Sequence, residues 1–152
     1  MSAITNTTQL SVFSLVRSAL TANLVLSSKF TNANIYQYEP KQKQVGFNGF
    51  PYIWVNIPEL EAENTTFNSS VRSKKFSATL VLRVEYQARD NFLNYANAIV
   101  DAIEDYESTF QSSGYYDVKC VHQDTDSNTV IDQKELVEGV FEISWRGFTS
   151  HA

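Results

Sequence analysis

From Phe76 to Gln87 the chain alternates: Phe76, Ala78, Leu80, Leu82, Val84 and Tyr86 share one side, while Ser77, Thr79, Arg83 and Glu85 fall mostly on the other. Side chains of a strand point to opposite faces in turn, so this segment predicts a β-strand with one face on a core and the other in water. Directly after it, Asp90 is placed as the N-cap of a helix carrying Phe92, Ala96, Ile99, Ile103 and Tyr106 along one side and ending before Gly114. A strand that runs straight into an amphipathic helix points to helices packed on a sheet.

The rest of the chain fits that plan. Leu10, Phe13, Val16, Leu20 and Leu24 make one apolar helical stripe, with Thr7 or Thr8 as its N-cap and Ser14, Arg17, Ser18 and Thr21 largely opposite. Asn32 and Asn34 break the pattern before a short β-rich run, Ile35 to Tyr38, which Pro40 closes. The segment 50–58 reads as a strand bracketed by Pro51 and Pro58, whose rings cannot donate to a ladder. Residues 59–75 have no period and read as a long loop or extended hairpin. Tyr115 to His122 and Leu136 to Trp145 read as strands that pair across the loop 123–134, with Glu138, Glu142, Ser144 and Arg146 pointing away from the core. The predicted class is α+β: one domain over 1–152, a mostly antiparallel sheet of about five strands with two helices packed on it. The order is helix, strand, strand, long loop, strand, helix, strand, strand.

Charge separates along the chain. Residues 1–84 carry 8 basic and 4 acidic groups, and residues 85–152 carry 4 basic and 13 acidic groups, for a total of −5. A molecule with one positive and one negative region can associate head to tail with its own copies, and the acidic part repels nucleic acid. No apolar run approaches the roughly 20 residues of a membrane helix, and the first residues lack a basic start and an apolar core, so synthesis in the cytoplasm is expected. A lone Cys120 and two histidines provide neither an intrachain disulfide nor a zinc ligand set.

Catalytic patterns are missing. Ser residues occur without a Gly-x-Ser-x-Gly elbow, and Gly46 and Gly49 are not followed by the Lys and Ser or Thr of a phosphate loop. Cys120 and His122 would share a strand face with no third group to orient them, so Cys120 reads as packing. The segment Asp124 to Glu135 places oxygen side chains at positions 1, 3, 5, 9 and 12 of a calcium-loop spacing, with Ile131 at the eighth. Thr129 stands where that loop needs Gly, and both flanks read as strands, so a polar hairpin tip is the expected structure. The chain is expected to be no enzyme and to hold no cofactor or metal.

The segment 59–75 opens with Glu59, Glu61 and Glu63 and closes with Arg72, Lys74 and Lys75, and Phe67, between these limbs, is its only aromatic residue. An exposed Phe between limbs of opposite charge is a candidate docking element, expected to order when an assembly forms.

Taken together, the helix over Leu10 to Leu24, the strand Pro51 to Pro58 followed by acidic residues and a long loop, the unit Ala78 to Tyr86 leading into the helix Phe92 to Tyr106, and the closing hairpin ending Glu142 to Arg146 resemble the tail terminator, or tail completion, family of long-tailed bacteriophages. The resemblance implies a structural virion protein made in the host cytoplasm, forming a six-membered homo-oligomeric ring that caps the head-proximal end of the tail tube and joins it to the neck. Its partners would be tail tube and neck or connector proteins. Genome DNA would pass through the ring without sequence-specific binding, and no membrane would be involved. A head-side neck or head completion protein is the alternative, and a calcium-responsive binding module through 124–135 is a distant third. The family has no catalytic residues to carry over.

Overall fold

A computed structural model describes residues 9–57, 63–66, 71–123 and 127–150 of the chain. Its spine is a pair of long antiparallel strands, β4 (Val71–Glu85) and β7 (Lys134–Ser150), registered continuously from Val71 opposite Ser150 to Glu85 opposite Leu136. β2 (Tyr52–Asn56) lies antiparallel on the other side of β4, and β1 (Ile35–Tyr36) is added parallel to β2. β5 (Tyr115–His122) flanks the second half of β7, giving a main order β1-β2-β4-β7-β5. Two further strands extend it: β3 (Glu63–Thr66) pairs with the start of β4, and β6 (Ser127–Ile131) pairs with the start of β7. The class is α+β as the pattern predicts. The sheet has seven strands rather than five, because parts of both expected loops fold back as ladders.

Each predicted helix is broken in two. The first is α1 (Gln9–Ala22) followed by α2 (Leu24–Ser27). The Asn23 side-chain oxygen accepts hydrogen bonds from the backbone N–H groups of Val25 and Leu26, at 3.0 and 3.1 Å, and so caps a new turn. That break rotates the apolar stripe. Val12, Phe13, Val16, Ala19 and Leu20 remain in the core, but Leu24, expected there, is 88% exposed, and Leu26 is buried in its place.

The second helix is α3 (Phe92–Asp105) followed by α4 (Glu107–Ser112), separated at Tyr106 where φ −90° and ψ 10° leave the helical basin. Asp90 is not its cap. Residues Tyr86–Asn91 form tight 3₁₀ turns, and Asn91, which precedes α3, makes no side-chain capping bond. Glu107 stands in the first turn of α4, where a negative charge is favourable.

The core lies between the helices and one face of the sheet. Phe76, Ala78, Leu80, Leu82 and Val84 of β4, Ile53 and Val55 of β2, Phe141, Ile143 and Trp145 of β7, and Val118 and Cys120 of β5 pack against Val16, Leu20, Ala96, Ile99 and Ile103. Burial raises the Cys120 thiol to about 12, with the charge of Glu104 adding to it. Cys120 is a packing residue, and His122 stacks on Phe141 at 4.6 Å.

The opposite face is only partly wet. Arg83, expected in solvent, is buried at 6% exposure. Segment 37–50 runs as a strap over the starts of β2 and β7, reaching β6 where the Gln42 amide donates to the Ile131 carbonyl at 3.0 Å. Beneath it, Arg83 donates to Glu138 at 2.8 Å and to the Tyr52 hydroxyl at 2.9 Å, and pairs with Glu39 of the strap at 2.9 Å. Tyr36, Phe47 and Phe50 pack edge to face or tilted against Tyr52, whose hydroxyl takes the Arg83 bond. Burial alone would disfavour the charge, but the bonds to Tyr52, Glu138 and Glu39 raise the guanidinium pKa above its ordinary value. Gly46 and Gly49, at φ +88° and +82°, supply the strap's left-handed turns.

Candidate assembly interface

Beyond the strap the outer face of the sheet is open, and the register brings three cations to one corner. Lys75 of β4 stands directly opposite Arg146 of β7, and Lys119 of β5 stands opposite Ser144, one row further in. Like charges in opposed strand positions destabilise a sheet unless something answers them. Two carboxylates do so in part, the first being Glu63 of β3, which stands opposite Lys75. A bulge between Tyr116 and Lys119 places Asp117 at φ +56°, with its oxygens 3.8 Å from Lys119 Nζ and 3.8 Å from Arg146 Nε. These distances are at the outer limit of an ion pair, and all three side chains are more than half exposed. Lys75, Asp117, Lys119, Ser144 and Arg146 line a shallow cavity of about 220 Å³ there. Val121, 58% exposed, lies two residues along the same outer side of β5.

The helical layer carries the opposite sign. Asp101, Glu104, Asp105 and Glu107 are exposed on α3 and α4, and no basic residue occurs between Phe92 and Ser112. Next to them is an apolar groove of about 390 Å³, made where α1 breaks into α2 and lined by Ala22, Leu24, Val25, Ala102, Asp105 and Tyr106. Leu24 and Val25 are 88% and 50% exposed in the groove wall. Charge is therefore grouped locally on the fold rather than by halves of the chain. Lys119 and Arg146 come from the acidic half of the sequence, yet join Lys75 in the cationic corner.

Of the residues singled out in 59–75, Glu59, Glu61 and Phe67 lie outside the described residues. The described parts form a hairpin whose limbs pair within the chain: Glu63 opposite Lys75, Asn64 opposite Lys74, Thr66 opposite Arg72. Of these pairs only Glu63 and Lys75 are of opposite charge, and Lys75 alone of the named set is placed in the corner. Sequence reading missed Lys119 and Leu24. For Lys119 no signal existed, because its neighbours depend on the register of three strands. For Leu24 there was one, since an Asn one residue before it is a capping residue in mid-stripe.

The calcium spacing does not become a loop. Ser127–Ile131 and Lys134–Glu138 are ladder strands, joined by a two-residue turn in which Asp132 and Gln133 take φ 50° and 67°. Glu135 sits opposite Val130, and Asn128 opposite Val137, so these oxygens are spread along a hairpin instead of wrapped around one centre. Asp124 and Asp126 lie outside the described residues. Among the described residues no group of three or more His, Cys, Asp or Glu is placed to hold a metal ion, and no helix is long and apolar enough to cross a membrane.

No family model matches the chain, and no curated protein matches it. Among solved structures, a chain of the virion of a native gene transfer agent particle is similar in fold, with a TM-score of 0.51 at 12% identity, covering 90% of this chain and 95% of that chain.

Proposed function

We propose that this chain is a structural virion protein, a tail terminator subunit that assembles into a homo-oligomeric ring at the head-proximal end of a phage-type tail and joins it to the neck. The observation that carries the reading is the fold likeness, nearly end to end on both chains, to a component of a gene transfer agent virion. The layout of the molecule agrees with it. A cationic corner on the sheet and an acidic helical face lie on different layers of one chain, an arrangement that suits head-to-tail contact between copies. Work by binding rather than by catalysis also accords with a buried, protonated Cys120 and with surfaces that are shallow and charged. Six copies, and tail tube and neck proteins as neighbours, are what the sequence resemblance implies.

Electron microscopy of particles that carry this chain tests the proposal. A ring of density at the junction between tail and head, present on tails purified without heads, supports the terminator role. The same ring on isolated heads instead makes the chain a head completion protein, and isolated single copies overturn both.

A further inference from the structure

We infer that the contact between copies seats the cationic corner of one subunit, Lys75, Lys119 and Arg146 with Val121 beside them, on the acidic face and apolar groove of the next, Asp101, Glu104, Asp105, Leu24 and Val25. The occupant is a second copy of this chain, and the inference rests on the ring reading only for closure of the chain of contacts.

Three observations carry it. First, Lys75 and Arg146 are cross-strand neighbours of like charge, and Asp117 lies 3.8 Å from Arg146 and from Lys119, while Glu63 of β3 stands opposite Lys75 in the register. Three cations set against Asp117 and Glu63 still leave one excess positive charge at this concave surface, which favours an anionic partner. Second, the acidic helical face has the reverse excess. Asp101, Glu104 and Asp105 lie within two turns of α3 on exposed positions, while Ala98, Ile99, Ala102 and Ile103 of the same helix are in the core. Third, each face pairs its charge with exposed apolar surface, Val121 on one and Leu24 with Val25 on the other. Leu24 is exposed because Asn23 caps a new turn, so the break in the helix creates the groove and also leaves its wall uncovered. The two faces cannot meet within one molecule, since the sheet and its buried core separate them. A contact that uses two different faces is heterologous, and repeats of it form a ring if the rotation closes.

Reversing charge tests this pairing with a specific signature. One variant carries Lys75→Glu, Lys119→Glu and Arg146→Glu, so both its faces are acidic. The other carries Asp101→Lys, Glu104→Lys and Asp105→Lys, so both its faces are basic. All six positions are exposed, and each variant should fold, checked by circular dichroism and melting. Sedimentation and native mass spectrometry should show that each variant alone fails to assemble, and that an equal mixture recovers assemblies containing the two in equal number. Raising salt from 0.1 to 1 M, which shortens the screening length from about 10 to about 3 Å, should weaken those assemblies. If either variant alone assembles as well as wild type, or the mixture stays dispersed while wild type assembles, the pairing is wrong and the ring reading stands. Wild type that remains monomeric at every concentration, with or without tails, removes the ring reading itself.

Discussion

Replacing Arg83 by Met should destabilise the fold by about 3 kcal/mol, a value reached by weighing its three contacts separately. The guanidinium is 6% exposed and donates to Glu138 at 2.8 Å and to the Tyr52 hydroxyl at 2.9 Å, with Glu39 2.9 Å away. Truncating one partner of a fully buried pair costs about 3–5 kcal/mol, because the remaining charge is left unpaired. Here the remaining charges are not fully buried. The Glu39 side chain is 51% exposed and returns to water at little cost, and that of Glu138, 23% exposed, rehydrates in part. The Tyr52 hydroxyl is buried and loses its partner, a cost of about 1–3 kcal/mol. Met restores much of the packing volume between Tyr52 and Trp54, whose rings lie 5.8 Å from the guanidinium carbon, so the cavity contribution is small. A loss of about 3 kcal/mol corresponds to a fall of about 6–12 °C in Tm for a domain of this length. Urea titration and calorimetry measure it. Adding Glu138→Gln to the Arg83→Met chain should cost little more, since the charge that suffered is then gone, and the double-mutant cycle should return a coupling of about 1 kcal/mol or more. A change below about 0.5 kcal/mol for Arg83→Met, the size expected of an ordinary surface substitution, would refute the claim that the strap is anchored on a buried guanidinium.

Other outcomes follow from single residues. Cys120 holds its proton to about 12 in the fold against 9.0 as the ordinary value, so the unfolded chain ionises first as pH rises. Its contribution to stability is complete below pH 9 and is lost between there and about 12, at up to about 1.4 kcal/mol per pH unit. Cys120→Ala should flatten that part of a pH–stability curve, and native Cys120 should resist thiol reagents at pH 8; rapid labelling without unfolding would contradict its burial. Asn23→Ala removes the acceptor for two backbone N–H groups and should cost about 1 kcal/mol, with hydrogen exchange quickening at Val25 and Leu26; unchanged exchange there would deny the cap. Gln133→Gly should stabilise by up to about 1 kcal/mol, because a two-residue turn with both φ positive favours Gly at its second position, and a lower Tm would mean the turn has another geometry.

Local pattern was enough to reveal the elements, because period two and period 3.6 are properties of neighbouring residues. Phe76 to Val84 and the stripe Phe92 to Ile103 could each be assigned a buried face without knowing what covers it, and helix on sheet followed. The strand 115–122 and the last strand could be paired because they are close in sequence. Positions where a distant segment decides the environment were not legible. Alternation correctly put Arg83 on the outer side of β4, but only the strap, arriving from residues 37–50, makes that side an interior and supplies Glu39. Leu24 obeys the stripe and is exposed, because one side-chain oxygen of Asn23 restarts the helix at a new angle. The cationic corner depends on a register in which a shift of one residue would send Arg146 to the opposite face. Short-range preferences select the kind of element, whereas its neighbours come from pairings across tens of residues, and those pairings exist only once the sheet has closed over its core.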